Sequence, residues 1–106
     1  IIDKKTALMH ICQNDLIKNN YRKGDSEGIV NYGLTLRGIQ FSVIFIEDEN
    51  EKNKFKISFR SKEDFPCNQF ASSFFDGGGH LNAAGGIFKG KLNSAIEYFK
   101  KSLNEF

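Results

Sequence analysis

Between residues 74 and 86 the chain reads FFDGGGHLNAAGG, thirteen residues of which five are glycine. Consecutive glycines let backbone N–H groups converge, because a chain without Cβ atoms adopts positive φ and comes close to a ligand. Such a nest binds anions. His80 adds an imidazole donor beside Gly77, Gly78 and Gly79, and Asn82 both donates and accepts. Ala83, Ala84, Gly85 and Gly86 are small enough to leave room for a ribose or base. A helical turn beginning at 80–84 would set its positive end beneath the nest. The chemistry indicated is the grip of a nucleotide or phosphoester, and the plainer alternative is a flexible connection between a helix and a strand. The better-known phosphate loops do not fit: no Lys-Ser/Thr follows the glycines, and Asn82 stands where a dinucleotide-binding loop needs its third glycine.

A second candidate lies upstream, in NKFKISFRS (53–61). Alternation puts Phe55, Ile57 and Phe59 on one face and Lys54, Lys56, Ser58 and Arg60 on the other. Arg60 at the end of such a strand offers a planar fork suited to phosphate, with Ser61 next to it. Lys62 adds long-range attraction. Glu27 sits in the first turn of a helix, where the macrodipole alone accounts for an acid. His10 reads as a sheet-face residue. Asn68 and Gln69 reach a ligand only if their helix faces the cleft.

These residues need a frame. KKTALMHI (4–11) reads as a first strand, with Ala7, Met9 and Ile11 on one face and Thr6, Leu8 and His10 on the other. NDLIKNN (14–20) reads as a short helix, and a second, capped by Asp25, runs through SEGIVNYG; Gly38 ends the segment after it. QFSVIFIED (40–48) and NKFKISFRS form an antiparallel hairpin across a polar loop. The apolar residues of the first of these lie on both faces, so both sides of the sheet are covered. Asp64 starts a helix with Pro66 in its first turn and the stripe Cys67, Phe70, Ala71 and Phe74. GIFKG (86–90) is a short strand, and a last helix carries Leu92, Ala95, Ile96, Phe99 and Leu103. The fold class is α+β: a small, mostly antiparallel or mixed sheet with helices packed on it, in the order βααββαβα.

Composition bounds the function. The 106 residues, 40% hydrophobic and 26% charged, suit one globular domain spanning 1–106 with a single core, rich in its eleven Phe. The longest apolar run, VIFI, is too short to cross a membrane, and IIDKK lacks a signal peptide's layout, so the expected location is cytoplasmic. The net charge of +2 does not make the basic face needed to hold a long duplex, and a small anionic ligand suits it better. Cys12 and Cys67 have no metal-ligand spacing. The chain opens on Ile with a strand close behind, which leads us to expect a further domain upstream.

Taken with KISFRSKEDF, NQFASSF and GDSEGIVNYGLTLRGIQFSVIF, the GGGHLNAAGG segment resembles the C-terminal substrate-binding domain of DHH-family phosphoesterases over nearly the whole chain. The likeness is nearest to members that degrade very short RNA and dephosphorylate 3′-phosphoadenosine 5′-phosphate, some described as exopolyphosphatase-related. The resemblance implies that the glycine-histidine loop is Gly77, Gly78, Gly79 and His80, completed by Asn82, that the serine-arginine element is Arg60 and Ser61, and that Glu27 and Gly28 match an acidic-glycine element. It also implies an N-terminal DHH domain in the same protein holding two divalent metals, manganese by expectation. No metal ligands are assigned to this chain, nor catalytic residues: His10 and His80 are its only histidines, and no Asp/His cluster has two-metal spacing. Short RNA or a nucleotide is the expected partner, no membrane is involved, and a homodimer is compatible with the full-length protein. The parent protein is then a hydrolase whose catalytic half lies elsewhere. The alternative is a free-standing nucleotide- or RNA-binding module without hydrolytic activity. A third reading, dimer contacts through the sheet edge, leaves the glycine-histidine loop unexplained.

Overall fold

The computed structural model describes residues 5–13 and 23–106, so the helix expected over 14–20 lies outside the described residues. Five strands form one sheet in the order β1-β2-β3-β5-β4. They are β1 (Thr6–Ile11), β2 (Phe41–Glu47), β3 (Lys54–Ser61), β4 (Gly78–His80) and β5 (Ala83–Lys89), and the helices are α1 (Lys23–Thr35), α2 (Cys67–Phe74) and α3 (Leu92–Glu105). The class is α+β with a mixed sheet: β1 runs parallel to β2, and the other neighbours are antiparallel.

Alternation decides which face each residue serves, because residues paired across strands point the same way. On one face Phe41, Phe45, Phe55, Ile57, Phe59 and Ala84 are buried against α2 and α3. Phe70 is the hub of this core, its ring centroid 5.3 Å from Phe41, 5.7 Å from Phe59 and 5.4 Å from Phe99. Edge-on and tilted ring pairs of this kind add roughly 0.5–1.5 kcal/mol beyond the area they bury. On the other face α1 lies across β1 and β2, with Val30 buried and Gly33 pressed against the sheet. A Cβ at Gly33 would press on the side chains of Ser42 and Met9, so the close helix-to-sheet approach favours a glycine. The expected stripes hold, with Cys67, Phe70 and Ala71 buried in α2 and Ala95 and Phe99 in α3, where Ser102 joins them.

Three local expectations change. Asp64 does not start α2: Pro66 is its N-cap, without a side-chain cap, and the Cys67 amide donates to the Leu81 carbonyl instead. Asp25 lies inside α1, which begins at Lys23. The glycine segment is not a loop leading into a helical turn. Gly78–His80 is a strand, Leu81 and Asn82 turn the chain, and β5 begins at Ala83, three residues before the strand expected at Gly86. The ladder pairs Gly78 with Gly85, Gly79 with Ala84 and His80 with Ala83, and the close approach of the two backbones depends on Gly77 and Gly79, where a Cβ would collide with β5. No helix among the described residues is long and apolar enough to cross a membrane.

Candidate functional site

The sheet register brings the two halves of the expected site together. Arg60 pairs with Ala83, and Ala83 pairs with His80, so the three form one row on the face that carries α1. Strand spacing puts the Arg60 and His80 columns about 10 Å apart, with only a methyl group between them. The next row on this face runs Ser58, Gly85, Gly78. Helix α1 rests on β1, β2 and the near side of β3, and beyond it the face opens into a shelf floored by Ala83, Gly85, Gly78 and Ser58 and flanked by Arg60 and His80. His80 is exposed at the sheet's edge.

The glycines divide by face. Toward the core they are demanded by packing: a Cβ at Gly86 would lie 2.7 Å from Phe75 Cβ, and one at Gly79 2.6 Å from the Ala83 carbonyl oxygen. Gly77, just before β4, would drive a Cβ into the Gly85 carbonyl at 1.8 Å. Positive φ belongs to Gly79, at 152°, and not to Gly78. On the open shelf the same steric demand is missing. A Cβ at Gly78 meets nothing within 4 Å, and one at Gly85 meets only the Ile57 carbonyl oxygen at 3.4 Å, an ordinary contact. Of the small residues expected to clear space for a ligand, Ala83 and Gly85 lie on the shelf, whereas Ala84 and Gly86 pack into the core.

Arg60 is held from three directions. Its Nη1 donates to the Phe59 carbonyl at 2.9 Å and lies 3.4 Å from that of Ala84, while Nη2 meets Glu27 Oε1 of α1 at 3.4 Å. Its side chain keeps 17% of its surface, against 67% for Glu27. The guanidinium is therefore fixed at the shelf's rim with its charge only loosely matched, since an exposed carboxylate at this distance contributes roughly 0–1 kcal/mol. Glu27, which reads in sequence as a helix first-turn acid, is thus the partner of Arg60, a contact between residues 33 apart that periodicity could not show.

Ser61 and Asn82 sit behind the shelf. Ser61 is buried, and its hydroxyl donates to the Phe65 carbonyl at 2.7 Å while accepting from Asn82 Nδ2 at 2.9 Å. The Ser61 amide donates to the Asn82 carbonyl, and Asn82 Nδ2 lies 3.2 Å from the Glu63 carbonyl. The pair pins the Leu81–Asn82 turn to the end of β3 and so sets the height of His80 above the sheet. Asn68 and Gln69 lie on α2, on the core side, away from the shelf; Lys62 is exposed beyond the end of β3. His10 is exposed on β1, at the opposite edge of the sheet from His80. Burial pushes the Cys67 thiol upward, with Ser61 and Arg60 opposing more weakly. Among the described residues no group of three His, Cys, Asp or Glu side chains converges as a metal site.

A mixed sheet with one face sealed by phenylalanines and part of the other left uncovered defines a small α+β domain. Residues 5–106 match the DHHA1 domain family, and the chain belongs to it. An exopolyphosphatase-related protein from Bacteroides fragilis has a crystal structure that superposes with a TM-score of 0.86 at 43% identity, covering 94% of this chain and 28% of that one. An uncharacterized protein from Helicobacter pylori G27 shares the fold, with a TM-score of 0.58 at 24% identity over 92% of this chain and 26% of its own. The chain thus spans little more than a quarter of either relative. No curated protein sequence matches it.

Proposed function

We propose that this domain is the substrate-gripping part of a phosphoesterase that acts on short oligoribonucleotides or nucleotide phosphates. The observation that carries the reading is the bare shelf: Gly78 and Gly85 have room for a Cβ and take no glycine-only backbone, so their missing side chains serve something outside the chain. A phosphate lying there would reach the Arg60 fork on one side and the His80 imidazole on the other, contacts worth roughly 1.5–3 kcal/mol each when one partner is charged. Glu27 holds the guanidinium until the ligand's own charge replaces it. The description of the Bacteroides fragilis relative as exopolyphosphatase-related supports phosphoester chemistry for the whole protein. Two divalent cations, held by a separate DHH domain, would supply activated water; the residues of this chain bind and orient the substrate.

The test is NMR titration of this chain with adenosine monophosphate. One or two phosphate contacts and an exposed base support dissociation constants of about 0.1–1 mM, or about −4 to −5.5 kcal/mol. Resonances of Gly77 to Asn82 should shift together, and Arg60→Ala and His80→Ala should each weaken binding about tenfold or more. A phosphate-release assay with manganese should show no turnover by this chain alone. Unchanged affinity in both variants would refute the site, and metal-dependent turnover surviving removal of contaminating nucleases would refute the division of labour.

A further inference from the structure

The open face does not end at the shelf. Continuing down β3 and β5, the row Lys56 and Ile87 follows, and then the row Lys54 and Lys89. Lys56 and Lys89 are exposed, Lys54 is half-buried, and Ile87 keeps 41% of its surface in water. Like charges directly opposite on paired strands destabilise a sheet. The Lys54–Lys89 pair is of this kind, and Lys56 adds a third ammonium two residues along the same face. Among the described residues no carboxylate lies within ion-pair distance of any of the three, since the ion pair that forms is between Arg60 and Glu27. Asp48, at the end of β2, attracts Lys54 and Lys56 electrostatically, but its carboxylate is also taken up by its own turn, accepting the amides of Asn50 at 2.8 Å and Glu51 at 3.1 Å. One carboxylate already held by its own turn does not balance three cations in two successive rows, and none of the three is in an ion pair among the described residues. Lys54 and Lys56 are in line with Arg60 on β3, about 20 Å and about 13 Å from it, Lys89 stands beside Lys54 on β5, and the floor on the way consists of Ser58, Gly85 and Ile87 with no acidic side chain.

We infer that Lys54, Lys56 and Lys89 form a second anion subsite, which takes the distal phosphates of a phosphate-linked chain whose first phosphate sits between Arg60 and His80. The inference rests on the shelf reading above and extends it from a single phosphate to a polyanion laid along β3. The ligand chemistry is a run of linked phosphates, as in a short single-stranded oligonucleotide or an inorganic polyphosphate. Ile87 supplies an apolar surface midway for a base or sugar.

The experiment compares this chain with its Lys54→Gln/Lys56→Gln/Lys89→Gln variant, using adenosine monophosphate, a pentaadenylate and an inorganic polyphosphate as probes. Linking a second contact to the first should make the pentaadenylate bind wild type about tenfold or more tightly than the mononucleotide at low salt. The variant should lose that advantage, bind the mononucleotide as wild type does, and show a log K against log salt slope shallower by about 0.7 for each phosphate contact removed. Equal tightening by polyphosphate would assign the subsite to the phosphate chain itself; tightening by the oligonucleotide alone would assign it to nucleotide units. A chain-length advantage that survives in the variant overturns the inference. The two readings fail separately. If Arg60→Ala abolishes mononucleotide binding while the lysine variant keeps its preference for longer ligands, the shelf stands and the subsite falls. If longer ligands bind through the lysines while the mononucleotide does not bind wild type, the shelf falls and the lysines remain an anion site. Circular dichroism melting confirms that the variant, altered at three surface positions, is folded.

Discussion

Substituting alanine in turn at Gly77 and Gly78 separates what the fold needs from what the ligand needs. At Gly77 the new Cβ would stand 1.8 Å from the Gly85 carbonyl oxygen, whereas close carbon-to-oxygen contacts in sheets settle near 3.3–3.6 Å. The start of β4 would have to move away from β5 by roughly 1.5 Å, enough to strain a ladder of only three pairs. Overpacking of this kind costs about 1–3 kcal/mol, which in a domain of this size lowers Tm by about 5–20 °C. At Gly78, one residue on, the Cβ meets nothing and φ is not in the left-handed region. Gly78→Ala should therefore leave stability unchanged or raise it by about 0.4–1 kcal/mol through the unfolded state. Its methyl group would nonetheless project onto the shelf and hold a phosphate off the strand, weakening adenosine monophosphate binding about tenfold, the value of one charge-assisted contact. Thermal melting and NMR titration of the two variants provide the readouts. A Gly77→Ala protein that melts like wild type would refute the packing argument, and a Gly78→Ala protein that binds like wild type would refute the shelf.

Three further outcomes are expected. Glu27→Gln removes the carboxylate that shields Arg60 and should raise phosphate affinity up to about fivefold with little change in stability; a fall in affinity would mean that Glu27 aims the guanidinium. Ser42 is fully buried and its Oγ has no hydrogen-bond partner among the described residues, so Ser42→Ala should stabilise by about 1 kcal/mol, read as a higher urea midpoint at constant m; a loss of similar size would count against that account. Because burial raises the Cys67 thiol above its ordinary value of 9.0, the folded state keeps a proton that the unfolded state releases. Stability from this source is complete below pH 9 and declines as pH rises beyond it, and Cys67→Ala should flatten the alkaline limb of a stability-against-pH curve.

The strands with regular alternation were the most legible part of the fold. Phe55, Ile57 and Phe59 announce one face and Lys54, Lys56, Ser58 and Arg60 the other, because a half-buried strand writes its burial with period two. The glycine segment misled for the complementary reason. Glycine has no side chain with which to declare a face, and β4 is bound to its neighbour by backbone contact alone, so period and propensity were both silent about a strand at Gly78–His80. Asp64 and Asp25 looked like caps because cap preference is local, whereas the amide at the start of α2 is satisfied by Leu81, fourteen residues away along the chain. At the site, Arg60 and His80 could be named from residue chemistry and family likeness, but their shared row depends on the Ala83 register. The inward-facing roles of Ser61 and Asn82 depend likewise on a turn that only the folded chain builds.

The parallel entry of β1 has a consequence for any catalytic domain joined ahead of it. Thr6 pairs with Phe41 and Phe41 with Ser61, so the chain comes into the sheet at the end where Arg60 and His80 stand, one row away. Ala7, Ser42, Arg60, Ala83 and His80 share a single row across all five strands, about 19 Å from end to end. A domain tethered there needs no long linker to hang over the shelf. Short flexible tethers hold their ends at effective concentrations in the millimolar range, comparable to the weak affinity proposed for a single nucleotide. Under the proposed function, closure of one domain on the other would then be a near-balanced equilibrium, tipped by a substrate that both domains hold and reversed once a phosphoester bond of that substrate is cut.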